Sequence, residues 1–333
     1  MNRTLPFDVH GEVVAAAARL RGMLIETPLV GALSLSRAVG AEVRYKLENV
    51  QVTGSFKARG ALNRMLCLSP AERSRGVVAA SSGNHGLGVA NAAQLLGCQA
   101  QVFVPETTPL QKRQAIAHSG ALVVVFGNDC VDTEGRARSE AEQSGRPYIS
   151  PYNDPLVVAG QGTIAEELLR QWPEVEVVYV AMGGGGLLSG MAGYGKRVRP
   201  EVEWVACSPS QSPAMEECVR MGRIVDVPCG ETWSDSTHGG VEPGAITLPL
   251  CEQLVDRWLQ CDEAAIEAAL RGALAQQHLL VEGAAAVAIA CCQADLELRA
   301  RRACVLICGG NLPYEKLQRI VASGAAQGSD GYR

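Results

Sequence analysis

Short β-branched runs punctuate the chain at residues 76–80, 101–104 and 122–126, and between them apolar positions recur with helical spacing over about ten to fifteen residues. The alternation resumes at 175–181, 203–207 and 303–307, and the amphipathic stretch 314–322 reads as a last helix. Strands that alternate with helices predict parallel sheets covered on both faces, a three-layer α/β architecture throughout. No internal repeat, low-complexity tract or long linker breaks the pattern.

With 333 residues, 47% hydrophobic and 20% charged, the chain has material for about two domains with sizeable cores. Its 30 basic and 35 acidic residues leave a formal charge of -5, and no basic run is interleaved with aromatics, which argues against nucleic acid as a partner. Residues 1–21 lack a basic segment followed by an apolar one, and no stretch approaches the roughly 18 apolar residues of a membrane span. A cytoplasmic location without membrane contact is therefore expected. Twelve cysteines are scattered along the chain with no Cys-x-x-Cys pair and no histidine at zinc spacing. They read as reduced thiols, mostly small buried hydrophobes, with any exposed ones open to oxidation.

The chemistry starts at Lys57, flanked by small residues in Gly54-Ser55-Phe56-Lys57-Ala58-Arg59-Gly60 and placed to begin a helix and reach inward. An amine held there can form a Schiff base with a carbonyl. Alone it proves little, since most lysines are solvated surface charges. The second element is an apolar strand running into Gly183, Gly184, Gly185 and Gly186, then into a helix opening Leu187-Leu188-Ser189. Consecutive glycines let backbone N–H groups close around an anion, and the helix adds its positive end. A tight turn would need only one glycine. The run is neither a P-loop nor a dinucleotide fingerprint, lacking the Lys-Ser/Thr pair of the one and the downstream acid of the other. A lysine anchor for an aldehyde, an anion site for a phosphate ester and a partner for a ring nitrogen are together what pyridoxal phosphate requires.

Four segments in order, 48–61 with Lys57, Ser81-Ser82-Gly83-Asn84-His85-Gly86, the tetraglycine run and Cys308-Gly309-Gly310-Asn311, resemble the signatures of the threonine and serine dehydratase family. That family of fold-type II pyridoxal-phosphate enzymes (tryptophan synthase β-like) includes serine racemase. The likeness runs over roughly residues 10 to 320. It implies two three-layer domains with parallel sheets: a large one from 1–52 and 148–325 and a small inserted one from 53–147, with the cofactor between them. The last helix falls so close to residue 333 that no C-terminal regulatory domain is expected. Relatives of this kind form homodimers or homotetramers.

The resemblance also implies roles. Lys57 would carry the cofactor and serve as base, with an amine brought nearer neutrality by burial. Phe56 would pack beside the cofactor, Asn84 would bond its ring oxygen, Gly183 to Gly186 and Leu187 would hold its phosphate, and Cys308 would face the ring nitrogen. A thiol there is a weak hydrogen-bond partner and poor proton donor, so the ring is a weaker electron sink and expulsion of a β-leaving group is favoured. Ser81, Ser82, Asn84 and His85 form a loop ahead of a helix from Leu87 that suits a substrate carboxylate; Ser82 or Asn84 serving only as a helix cap is compatible with that. Glu282, an acid within an apolar helical run, reads either as a second-tier site residue or as a helix N-terminal charge.

These readings converge on an ammonia-lyase that turns a β-hydroxy amino acid such as L-threonine or L-serine into a 2-oxo acid and ammonia. Racemisation is the closest alternative, since Ser82 matches the racemase's second acid/base; an unusual hydroxylated substrate such as 3-hydroxyaspartate is another. A non-catalytic cofactor or amino-acid binding protein is the reading of a different class, opposed by the retained anchor and phosphate cup. Ser236 and His238, in Ser234-Asp235-Ser236-Thr237-His238-Gly239-Gly240, stand where relatives carry a small residue and are expected to set specificity. Ser208-Pro209-Ser210 replaces the acidic cation ligand of some relatives, so no metal is expected, although Glu216 or Glu217 could substitute.

Overall fold

All six β-branched runs are strands, and three further strands complete the sheets in a computed structural model that describes residues 5–327 apart from Ser82 and Asp129. Among the described residues the strands are β1 (Leu29–Gly31), β2 (Glu42–Leu47), β3 (Val77–Ala80), β4 (Ala100–Val104), β5 (Leu122–Val125), β6 (Val177–Ala181), β7 (Glu203–Pro209), β8 (Arg257–Cys261) and β9 (Arg302–Ile307). β3, β4 and β5 form a parallel three-stranded sheet. The other six pair in the order β1-β2-β9-β6-β7-β8, all parallel except the edge strand β1. The antiparallel edge departs from the all-parallel expectation. The last helix extends beyond 322, to Tyr314–Gln327. No helix among the described residues is long and apolar enough to cross a membrane.

The core follows from the apolar runs. Val177, Val178, Tyr179 and Val180 of β6 and Ala303, Cys304, Val305, Leu306 and Ile307 of β9 are fully buried at the centre of the larger sheet, as strands covered on both faces must be. Burying each such aliphatic side chain contributes about 1.5–3 kcal/mol. Of the eleven cysteines whose side chains are described, eight are buried and all are free thiols.

Helix Pro155–Gln171 ties the two sheets together. Asp154 caps it, its side chain accepting from Leu156 and Val157 N–H at 2.7 and 3.2 Å, and Pro155 occupies the first turn, where its missing N–H costs nothing. Small residues on this helix permit backbone contact with two others. A Cβ on Gly160 would lie 2.6 Å from Gly60 Cα, and one on Gly162 would lie 2.7 Å from the Gly190 carbonyl. The helices Lys57–Leu66 and Gly186–Val198 are thereby fixed against one hub.

A buried ionic quartet reinforces that junction. Arg59 donates twice to Glu48, at 2.8 Å each, and to Glu167 at 2.6 and 3.0 Å. Lys46 donates to Glu167 at 2.6 Å and to the Thr27 carbonyl at 2.7 Å, while the Thr27 hydroxyl donates to Glu48 at 2.6 Å. Two cations face two carboxylates with nearly every charge hydrogen-bonded, the condition under which buried ions persist. The quartet joins β2, the turn after it, the Lys57 helix and the hub.

Candidate active site

Neighbouring strand ends build the site. β9 lies between β2 and β6, so Cys308 after β9, the glycine run after β6 and the turn Glu48–Val50 after β2 emerge side by side. The Phe56 N–H donates to the Cys308 carbonyl at 3.0 Å and the Gly310 N–H to the Gly54 carbonyl at 2.9 Å, pinning the start of the Lys57 helix to the end of β9. The end of β3 brings Ser81 from the smaller sheet.

The glycines divide their tasks. Gly185 has φ 83°, the left-handed conformation that glycine adopts without strain, and caps the helix Gly186–Val198. Gly184 is required by contact instead: a Cβ there would sit 2.5 Å from the Tyr152 ring. The loop ends at a helix start, where N–H groups lack intrahelical partners and the dipole favours an anion.

Two cavities meet at Lys57. One of about 190 Å³ is lined by Phe56, Tyr152, the four glycines, Leu187, His238 and Cys308. The other, of about 520 Å³, is lined by Ser81, His85, Lys112, Trp233, Glu282 and Asn311, among others. They share Lys57, Asn84, Pro151 and Ser236. The Lys57 amine donates to the Pro151 carbonyl at 2.8 Å and lies 5.1 Å from the Phe56 ring centre. Burial pushes its pKa down to about 8, against the opposing pull of Cys308 and Glu282.

Glu282 is the polar centre of the site. Its carboxylate accepts from Asn84 Nδ2 at 2.8 and 3.0 Å and from Ser236 Oγ at 3.0 Å, with Cys308 Sγ 3.9 Å away. Asn311 Nδ2 donates to Asn84 Oδ1 at 2.7 Å and to the Thr53 carbonyl at 2.9 Å, extending the chain of polar groups across the cleft. Burial raises the Glu282 carboxyl although the Asn84 and Ser236 hydrogen bonds oppose it. Burial, then the Glu282 charge, pushes the Cys308 thiol well up, so it keeps its proton at neutral pH.

Several details depart from the sequence reading. The helix expected from Leu87 begins at Asn84, so Asn84 and His85 occupy its first turn, and its cap is Gly83 with no side-chain bond rather than Ser82 or Asn84. Glycine at the cap and in the first turn weakens the apolar pattern and hid this start. Glu282 stands at a helix start, as one of its two readings had it, but as the cap of Gly283–Ala294 it bonds none of the helix N–H groups, because the carboxylate is turned into the site. His238 is exposed and lines the glycine cavity only, whereas Ser236 borders both. His85 is buried with Nε2 2.8 Å from the Ile149 carbonyl. Ser82 lies outside the described residues. Tyr152 and the Pro151 carbonyl were missed; the segment Pro151-Tyr152-Asn153-Asp154-Pro155 signals only a helix start.

Among the described residues no group of three or more His, Cys, Asp or Glu side chains could hold a metal ion. Glu216 accepts from Gln260 at 2.9 Å and Glu217 pairs with Arg220. The residues present fit pyridoxal phosphate: Lys57 would take the aldehyde, the glycine loop and helix start would hold the ester, and the protonated Cys308 thiol lines the same cavity.

Comparison with known proteins agrees. The family model for pyridoxal-phosphate dependent enzymes matches residues 11–309. The chain is 37% identical over 313 residues to the L-threonine ammonia-lyase of Thermotoga maritima, covering 94% of this chain and 78% of that protein. Among solved structures it resembles the processed form of threonine deaminase isoform 2 from Solanum lycopersicum (TM-score 0.89, 32% identity, 94% of this chain and 92% of that one). Maize serine racemase is similarly close (TM-score 0.88, 28% identity, 96% and 98%).

Proposed function

Since the chain belongs to the pyridoxal-phosphate dependent enzyme family, we propose that it is an ammonia-lyase converting a β-hydroxy amino acid such as L-threonine or L-serine to a 2-oxo acid and ammonia. The observation that carries this reading is the Lys57 amine, brought near neutrality by burial and standing where a slot with an anion-binding end meets a larger chamber. When bound, pyridoxal phosphate supplies an electron sink that stabilises negative charge at the substrate α-carbon. The protein supplies the rest. Phe56, the glycine loop, Leu187 and Cys308 hold and orient the cofactor, with Lys57 as covalent anchor. Ser81, Ser82, Asn84 and His85 orient the substrate carboxylate, and Lys57 removes the α-proton. The protonated Cys308 thiol leaves the ring nitrogen without a strong acid, which favours loss of the β-hydroxyl over reprotonation.

Borohydride reduction followed by peptide mass analysis should place the pyridoxyl label on Lys57. Ammonia and oxo-acid release from L-threonine or L-serine should disappear in Lys57→Ala. A labelled protein that releases neither product from any β-hydroxy amino acid would sink the lyase reading. The resemblance to serine racemase supports racemisation as a second reading; chiral analysis of unconsumed serine decides it. The proposal includes a cytoplasmic homodimer or homotetramer, which light scattering tests for oligomeric state.

A further inference from the structure

The last helix grips the loop that carries Ser236. Lys316, in the first turn of Tyr314–Gln327, donates to the Thr232 carbonyl at 3.3 Å, to the Trp233 carbonyl at 3.2 Å and to the Asp235 carboxylate at 2.5 Å. An ammonium has three protons to give, and here all of them go to one short stretch of chain. One turn further along, the Arg319 guanidinium stands 4.7 Å from the centre of the Trp233 ring, which is buried and lines the larger chamber. This helix lies beyond residue 309, where the match to the family model ends.

The same stretch is held from its other side. The Trp233 N–H donates to Glu263 Oε2 at 2.7 Å, and a Cβ on Gly283 would lie 2.0 Å from the Trp233 carbonyl, so the loop backbone rests directly on the residue after Glu282. A tight turn follows, in which the Thr237 N–H donates to the Ser234 carbonyl at 3.1 Å and the two hydroxyls meet at 2.6 Å. Asp235 and Ser236 are its central residues, one bonded to Lys316 and the other donating to Glu282 at 3.0 Å. Both are exposed, so hydrogen bonds rather than packing hold the tip of the turn. An ion pair to so exposed a carboxylate adds little stability; its effect is on where Ser236 stands. That position matters at the centre of the site: burial raises the Glu282 carboxyl, and after the Asn84 bonds it is the Ser236 bond that draws it back.

We propose that Lys316 is a positioning residue for the reaction: by holding Thr232 to Asp235 against the start of the helix Gly283–Ala294, it keeps the Ser236 hydroxyl on Glu282 and, through Glu282, the Asn84 amide in place. This rests on the ammonia-lyase reading above. The last helix then belongs to the working site, although no side chain of its Lys316 turn bonds to Lys57, Asn84 or Glu282 among the described residues.

The test uses the holoenzyme with Lys316→Met, Lys316→Arg, Ser236→Ala and the double variant Lys316→Met/Ser236→Ala. Each of Lys316→Met and Ser236→Ala should lower kcat/KM for L-serine or L-threonine by on the order of 10-fold, the loss expected for one hydrogen bond to a carboxylate. Because Lys316 acts through Ser236, the double variant should fall less than about threefold below Ser236→Ala, and Lys316→Arg should recover most of the activity. Losses that multiply in the double variant, or a Lys316→Met enzyme within about threefold of the wild type, overturn the assignment. Hydrogen exchange supplies a readout without turnover: peptides spanning 231–240 should exchange faster in Lys316→Met and regain protection in Lys316→Arg, while those of β3 and β4 stay unchanged. Unchanged exchange at 231–240 also overturns it. Should Lys316→Met fail to fold, Asp235→Asn weakens the same grip from its exposed side, and the same cycle with Ser236→Ala decides. If the wild type turns over no β-hydroxy amino acid, the lyase reading fails and exchange alone decides the role of Lys316.

Discussion

Lys57 was legible only in company: its small neighbours at a helix start allow an inward reach, and the glycine run and the two other motifs made that reading the stronger one. The Pro151 carbonyl that receives its amine was not, being brought there by a chain segment 94 residues away. His85 shows the same division. The sequence places it in the Ser-Ser-Gly-Asn-His motif, but only the fold shows that Nε2 must donate to the Ile149 carbonyl and that Nδ1 is buried with no partner among the described residues. Burial, then the Lys57 charge, lowers this imidazole to about 3. An unfolded histidine titrates near 6.5, so between those values the unfolded chain binds the extra proton and stability falls as pH falls. The expected contribution approaches about 1.4 kcal/mol per pH unit. Urea unfolding at pH 7, 6 and 5 should show the wild type losing stability more steeply than His85→Gln; parallel acid limbs would refute the assignment.

At the scale of elements, the β-branched runs declared six strands, while β2 and β8 stayed hidden behind their charges. Glu42-Val43-Arg44-Tyr45-Lys46-Leu47 does not read as a buried strand, yet Lys46 is fully buried because Glu167, from a helix far along the chain, receives its amine. No local pattern encodes such a pairing. The same holds for Arg59, which sits inside the Lys57 motif and looks like a helix-surface charge until Glu48 and Glu167 close around it. Arg59→Met should therefore destabilise the fold by about 3–5 kcal/mol, since both carboxylates lose a buried counterion. A denaturant midpoint within error of the wild type would show the quartet to be energetically idle. The tetraglycine run was read as exceeding the needs of a turn, and at Gly184 the structure adds a requirement that sequence spacing could not supply, the Tyr152 ring.

At the scale of the molecule, alternation of strand and helix gave the layered architecture, and the four motifs gave the family. The antiparallel edge and the strand order were not legible in the sequence, because β9 enters between β2 and β6 from the far end of the chain. The absence of an acidic ligand after β7 has a consequence for the whole protein: Glu216 and Glu217, the nearest substitutes, are occupied by Gln260 and Arg220. Exhaustive chelation is expected to leave both oxo-acid release and the melting temperature unchanged; a fall restored by magnesium or calcium would reveal a cation held outside these residues. The two cavities share four residues and otherwise have separate walls. On the proposed reading, this makes the protein modular in descent: substitutions confined to the walls of the larger chamber can exchange one amino-acid substrate for another while the anchor and the phosphate loop stay as they are, so preference can drift between lineages faster than the reaction itself.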